Sequence, residues 1–180
     1  PRYTEITGCL FREIGVWEKQ SSAVFSGKAA ESHIHHNLVF NLARAGYNFN
    51  DGLGGGDLVE YNVLFNTCRE SSDHGPINSW DRQPFLTTVR TGEPSMQMAW
   101  REVKNNVLIA NYGGSKEVDN DDGSLFYKNH NNFMAFGWAQ KFKCGGIESF
   151  NNVKAYIDTG GHLGDDPVGG GCVIDKRADV

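Results

Sequence analysis

Seven residues recur three times in this chain. Ile34-His35-His36-Asn37-Leu38-Val39-Phe40, Val59-Glu60-Tyr61-Asn62-Val63-Leu64-Phe65 and Val103-Lys104-Asn105-Asn106-Val107-Leu108-Ile109 each read apolar, two polar, Asn, then three apolar residues. A degenerate copy, Ile6-Thr7-Gly8-Cys9-Leu10-Phe11, comes first and carries Cys9 in the Asn slot. Weaker copies follow at Asn132-Phe133-Met134-Ala135 and Asn152-Val153-Lys154-Ala155. Most slots are spaced roughly 20–28 residues apart and one step is about 44, which is the range in which repeat architectures stack. The copies are β-branched and aromatic and are bounded by Gly, Asn and Asp, so they read as short strands. A coil of ~25 residues fits three such strands and three turns. The expected fold is therefore all-β, one solenoid over residues 1–180. Asn37, Asn62 and Asn106 should lie above one another in one turn, where side-chain amides can bond up the stack. Val39, Leu64 and Leu108 should stack inside in the same way.

No strong helical periodicity appears. Ser21–Ser32 is the exception, Ala-rich enough for a short helical turn. The 22 glycines fall between the apolar runs, at places expected to be turns with positive φ. The long step implies an inserted loop over 79–100, a length that is usually functional when it has no repeat strand of its own. The tail at 160–180, with Asp165-Asp166-Pro167 and three glycines, reads as irregular. Solenoids need capped ends, and neither terminus carries an amphipathic cap. The expectation is a segment of a longer chain, or ends covered by protein partners.

With 17 basic against 22 acidic residues the net charge is −5, which argues against nucleic acid and anionic membranes as partners. No apolar run approaches the ~18 residues of a membrane span. Four cysteines (Cys9, Cys68, Cys144, Cys172) fit no CxxC zinc spacing. They are either buried free thiols or include one disulfide of an exported protein.

Each repeat is followed by a polar lane that begins with Gly. The lanes are Gly15-Val16-Trp17-Glu18-Lys19-Gln20, Gly46-Tyr47-Asn48-Phe49-Asn50-Asp51 and Gly75-Pro76-Ile77-Asn78-Ser79-Trp80-Asp81-Arg82. Stacked, they make one face of amides, charges and aromatic edges (Trp17, Tyr47, Trp80), which suits a sugar polymer with apolar ring faces and a hydroxyl rim. The same residues also fit an ordinary solvated sheet face. Two acidic clusters, Ser71-Ser72-Asp73-His74-Gly75 and Val118-Asp119-Asn120-Asp121-Asp122-Gly123-Ser124, lie one or two coils apart. Facing carboxyls are what glycoside hydrolysis requires, and crowding raises the pKa of one of them. Asp-Asn-Asp-Asp-Gly is equally good turn chemistry. A loose oxygen site for Ca2+ is a third reading, though the spacing fails an EF-hand loop. The histidines form no HExxH. His35-His36 reads as turn polarity rather than as a ligand pair, and no metal site is expected. His74, beside Asp73, is the histidine to place in a site.

Three stretches carry a resemblance. Arg44 to Gly52 with Gly54-Gly55-Gly56, Arg69-Glu70 with Asp73 through Pro84, and Val118 to Ser124 together resemble a family of right-handed parallel β-helix repeat proteins, over roughly Thr7 to Ile157. The layout is similar to pectate-lyase-like proteins and to β-helical glycoside hydrolases. The resemblance implies a right-handed coil and an active groove. Asp73-His74-Gly75 and Asp121-Asp122-Gly123 would sit on its neighbouring coils, with His74 where the family has a small residue. Catalysis is then expected from Asp73, Asp121 and Asp122, and substrate binding from Asn50, Asp51, His74, Asn78, Trp80, Arg82 and Asp119. The implied partner is a polysaccharide, the implied location extracellular. The alternative is a non-catalytic structural or interaction protein, such as a matrix rod or an accessory subunit.

Overall fold

The computed structural model describes residues 1–50, 54–71, 73–80, 85–86, 97–110, 116–121, 123–137, 146–156 and 173–175. Every regular element among them is a strand. The first coil holds β1 (Glu5–Thr7), β2 (Leu10–Arg12) and β3 (Val24–Gly27), and the second holds β4 (His33–His35), β5 (Leu38–Phe40) and β6 (Tyr47–Asn50). The third has β7 (Leu58–Glu60), β8 (Val63–Phe65) and β9 (Ile77–Trp80). A short antiparallel pair, β10 (Phe85–Leu86) with β11 (Gln97–Met98), precedes the fourth coil of β12 (Arg101–Lys104), β13 (Val107–Ile109) and β14 (Val118–Asn120). Then come β15 (Tyr127–His130), β16 (Phe133–Ala135), β17 (Ile147–Phe150), β18 (Val153–Ala155) and β19 (Val173–Asp175).

The strands pair in parallel into three sheets: β1-β4-β7-β12-β15-β17-β19, then β2-β5-β8-β13-β16-β18, then β3-β6-β9-β14. Parallel neighbours cannot be joined by a hairpin, so the chain visits the other two sheets before it returns. This is the arrangement a parallel solenoid requires.

Side chains in register form columns. Ile6, Ile34, Val59 and Val103 stack in the first sheet. Phe11, Val39, Leu64, Leu108 and Met134 stack in the second. Val24, Tyr47, Ile77 and Val118 stack in the third. The central members are fully buried and make one core. Toward the last coils the interior turns polar. Val103 is followed in register by Asn129 and then Ser149, and Phe49 by Ser79 and Asn120. Those groups bond to one another: Asn120 Nδ2 donates to Ser79 Oγ at 2.9 Å and Asn129 Nδ2 to Asn120 Oδ1 at 2.8 Å. One buried ion pair, Arg101 Nε to Asp57 Oδ2 at 2.7 Å, closes the interior beside Tyr127 and Phe49.

The expected asparagine ladder is present and longer than the three strong copies. The backbone N–H and the Nδ2 of Asn37 both donate to Asn62 Oδ1 at 3.0 Å. Asn62 donates to Asn106 in the same way, Asn106 to Asn132, and Asn132 to Asn152. Cys9 ends the stack, its backbone N–H donating to Asn37 Oδ1 at 2.9 Å. Each rung follows a single left-handed residue: Gly8, His36, Tyr61, Asn105, Asn131 and Asn151 have φ between 54° and 64°. A non-glycine residue there costs on the order of 1 kcal/mol. The ladder offsets that cost, because each Nδ2 also caps strand carbonyls, as Asn62 does for Ile34 and Glu60 at 2.9 and 3.0 Å.

Three expectations need correction. Ser21–Ser32 forms no helical turn; its middle is β3, because parallel pairing with β6 outweighs a weak local propensity. Positive φ falls not only on the glycines, as at Gly56 and Gly146, but also on the non-glycine residues just named. His35 lies within β4, and only His36 is a turn residue.

Candidate functional site

In the third sheet Asn48, Asn78 and Asp119 occupy one register. Their sequence neighbours Tyr47, Phe49, Ile77 and Val118 belong to the core. Alternation along a strand therefore aims the two amides and the carboxyl at the opposite face. They are nonetheless at most 2 % exposed, so chain lies over that face. Neighbouring coils also pack closely at the turn before these strands, where a Cβ on Gly75 would overlap the Lys116 carbonyl. The column is thinly bonded. Asn78 Nδ2 donates to Asn48 Oδ1 at 2.6 Å, and Asn48 Nδ2 donates to Asn50 Oδ1 at 3.3 Å. Asn78 Oδ1 and Asp119 Oδ2 are buried with no hydrogen-bond partner.

Asp119 Oδ1 accepts from Lys116 Nζ at 2.7 Å. Burial pushes the Asp119 carboxyl up to about 6, with Asp121 and Asp73 adding to the rise and Lys116 opposing it. A buried carboxyl with a raised pKa, paired with Lys116, thus lies in a cluster of carboxylates.

His74 is the second distinctive group. Arg44 Nη2 lies 2.6 Å from its Nε2, and Ser71 Oγ lies 2.6 Å from its Nδ1. A guanidinium can only donate. Nε2 is therefore the acceptor, the ring proton sits on Nδ1, and Ser71 Oγ receives it. Burial and then the Arg44 charge depress His74 to about 4, against the pull of Asp73 and Asp121. The ring is neutral. Its proton points from His to Ser, the reverse of a base activating a serine nucleophile, so Ser71 and His74 are no nucleophile–base pair in this arrangement.

Asp73, His74, Asp119 and Asp121 thus lie in one neighbourhood with Arg44 and Lys116, beside the Asn48–Asn78 column. Asp73 is exposed and Asp121 half-buried. One register step further along the same strands, Asn50 pairs with Trp80, which is 40 % exposed. Asp51, Asp81, Arg82 and Asp122 lie outside the described residues. The first lane departs from expectation. β3 at 24–27, not residues 15–20, aligns with the later lanes, because a longer connection follows β2. Trp17 is 94 % exposed and Lys19 pairs with Glu70, while Tyr47 faces the core rather than edging the lane.

Arg44 and Lys116 were not among the expected site residues. Lys116 was readable as a cation three residues before Asp119; Arg44 had only its place in the resembling motif. Cys9 is an exposed free thiol and Cys68 a buried one whose pKa burial raises to about 12. Cys144 and Cys172 lie outside the described residues. No protein-family profile, curated protein or solved structure matches the chain.

Proposed function

We propose that the chain is a right-handed parallel β-helix that binds or processes a polysaccharide at the accessible edge of its third sheet, where Asp73, Asp121 and Trp80 reach solvent beside the buried Asn48–Asn78 column. The observation that carries the proposal is the carboxyl cluster of Asp73, Asp119 and Asp121 beside a column of amides and a half-exposed Trp80. Indole faces stack on sugar rings, and amides and carboxylates bond their hydroxyls. Hydrolysis of a glycosidic bond needs one protonated and one ionised carboxyl on either side of it. Asp73 and Asp121 are the accessible carboxyl groups assigned to the two sides of the bond, and Asp122 joins them from the sequence alone. Asp119, being fully buried, acts through its neighbours by holding Lys116 and setting the local charge. His74 is a neutral positioning residue. Asn50 belongs to the same site and Asn78 backs it, Asp51 and Arg82 are assigned to it from the sequence alone, and an extracellular location follows from the substrate.

A panel of acidic and neutral glycans tests this by retention and by release of reducing ends. The expected result is retention of at least one polymer, with Asp73→Asn and Asp121→Asn each abolishing release while retention persists. An intact chain that retains none of them ends the proposal.

One observation favours a non-catalytic interaction protein instead. The second sheet's outer column reads Leu10, Leu38, Val63, Val107, Phe133, Val153 in register. Leu10, Leu38, Phe133 and Val153 are 59, 38, 38 and 54 % exposed. A continuous apolar stripe is a protein-contact feature, and a second copy of the rod is its simplest occupant. Light scattering decides: a concentration-dependent dimer that Leu38→Glu dissolves, in a chain that retains no glycan, supports this second function.

A further inference from the structure

The first sheet's outer face brings together donors that the polysaccharide proposal does not use. Strand β4 is His33-Ile34-His35. Ile34 is 1 % exposed in the core, so both imidazoles stand on the opposite face. Their ring centroids are 3.9 Å apart with planes tilted by 31°. Glu5 pairs in register with His33 but reaches diagonally, its Oε1 3.0 Å from His35 Nε2. Glu60 pairs in register with His35 and makes the opposite diagonal, its Oε1 3.0 Å from His33 Nε2. His35 Nδ1 is held by Thr7 Oγ1 at 3.1 Å and His36 Nδ1 at 2.7 Å. One donor atom each from Glu5, His33 and His35 falls within 4.8 Å of the others.

Ordinary surface polarity would account for one imidazole on one carboxylate. It does not account for two imidazoles 3.9 Å apart and crossed by carboxylates from the coils on either side. We propose that Glu5, His33 and His35 form a binding site for a divalent transition-metal ion of the zinc class. Imidazole nitrogen with carboxylate oxygen suits Zn2+, Ni2+ or Cu2+, whereas Ca2+ and Mg2+ take all-oxygen shells. Binding replaces the hydrogen bond between His35 Nε2 and Glu5 with two metal–ligand bonds, and the ring stays neutral, its single proton moving to Nδ1, where Thr7 Oγ1 lies at 3.1 Å to accept it. Glu60 orients His33, the part a carboxylate plays behind a metal-bound histidine. Water fills the remaining position. The ligands sit on strands already in register, so little ordering is needed. The ion would tie β1 to β4 and raise the stability of the first two coils.

The test is calorimetric titration of the intact, tag-free chain with ZnCl2, with CaCl2 and MgCl2 alongside. One equivalent of Zn2+ is expected to bind and to raise the melting temperature, with no saturable binding of the other two. His33→Gln/His35→Gln should weaken Zn2+ binding at least about 100-fold, and Glu60→Gln about 10–100-fold. Cys9→Ser/Cys68→Ser should leave it unchanged, which separates the site from thiol capture. Glu5 has an exposed side chain, so Glu5→Gln decides the matter even if the double variant folds poorly; a loss of about 10-fold or more is expected. Absence of saturable Zn2+ binding, or equal affinity in wild type and Glu5→Gln, overturns the site.

Discussion

One column of amides, Asn37 to Asn152, turns the corner between the first and second sheets; another, Asn48 and Asn78 running into Asp119, lies along the third. Both are buried, and both repeat one residue type at one register. In the corner column the amides interlock: Asn62 Oδ1 accepts from Asn37, while its Nδ2 reaches Asn106 Oδ1 and two strand carbonyls. In the third-sheet column three side-chain bonds serve three residues, one of them from Lys116, and two oxygens are left bare. Buried polar atoms without partners are uncommon and costly, and tolerance of them marks places where something other than stability is at work. The same residue type thus holds the fold at one position and, under the proposed function, underlies a site at the other.

The largest effect should come from the core that supports the corner column. Leu64→Ala opens a cavity between Val39 and Leu108 and should cost about 2–5 kcal/mol in urea denaturation. Asn62→Ala should cost about 1–3 kcal/mol by leaving strand carbonyls and a backbone N–H unpaired. A near-neutral Asn62→Ala would erase the contrast between the columns.

Asp119 sharpens the contrast through pH. Its carboxyl is raised from 3.8 to about 6, so its favourable contribution is fully present below about pH 4 and is lost as pH rises through 6. Asp119→Asn should therefore gain on wild type by on the order of 2 kcal/mol between pH 4 and pH 7. His74, lowered from 6.5 to about 4, contributes in the opposite sense: fully above pH 6.5, lost as pH falls through 4. The two slopes offset each other in the intact chain, and His74→Asn should expose the falling limb that Asp119 imposes. Denaturation midpoints across that window check both variants. The smallest effect belongs to Asn78→Ala, about 1 kcal/mol or less, since it removes one amide bond and one oxygen that was already bare.

The corner column was legible in the sequence because its geometry is local. One left-handed residue, one amide and three alternating apolar residues recur as a string whatever the loops between them do, so even the step lengthened by the β10–β11 insertion kept its register. The third-sheet column was legible only in part. Asn48, Asn50, Asn78 and Trp80 follow a glycine at similar offsets in their lanes, but the first lane slips because the connection from β2 to β3 is longer. The roles of the acidic residues were not readable, since Asp119, Asn120 and Asp121 are consecutive in sequence yet Asp119 faces outward and Asn120 inward. The Asp57–Arg101 pair was invisible for a similar reason: two charges 44 residues apart announce no contact until the coils stack. His33 and His35 share a face because they are two apart on a strand, a spacing obscured by His36 beside them.

The central claim is that the third-sheet column carries a buried, poorly satisfied carboxyl at the centre of a site. Its most direct test is the titration of Asp119 itself, followed by the carbon-13 shift of its side-chain carboxyl in the intact chain. The expected midpoint is near 6, and it should fall when Asp73 and Asp121 are both replaced by Asn, because both carboxylates push it upward. A midpoint below about 4, the range of an ordinary Asp, would contradict the claim.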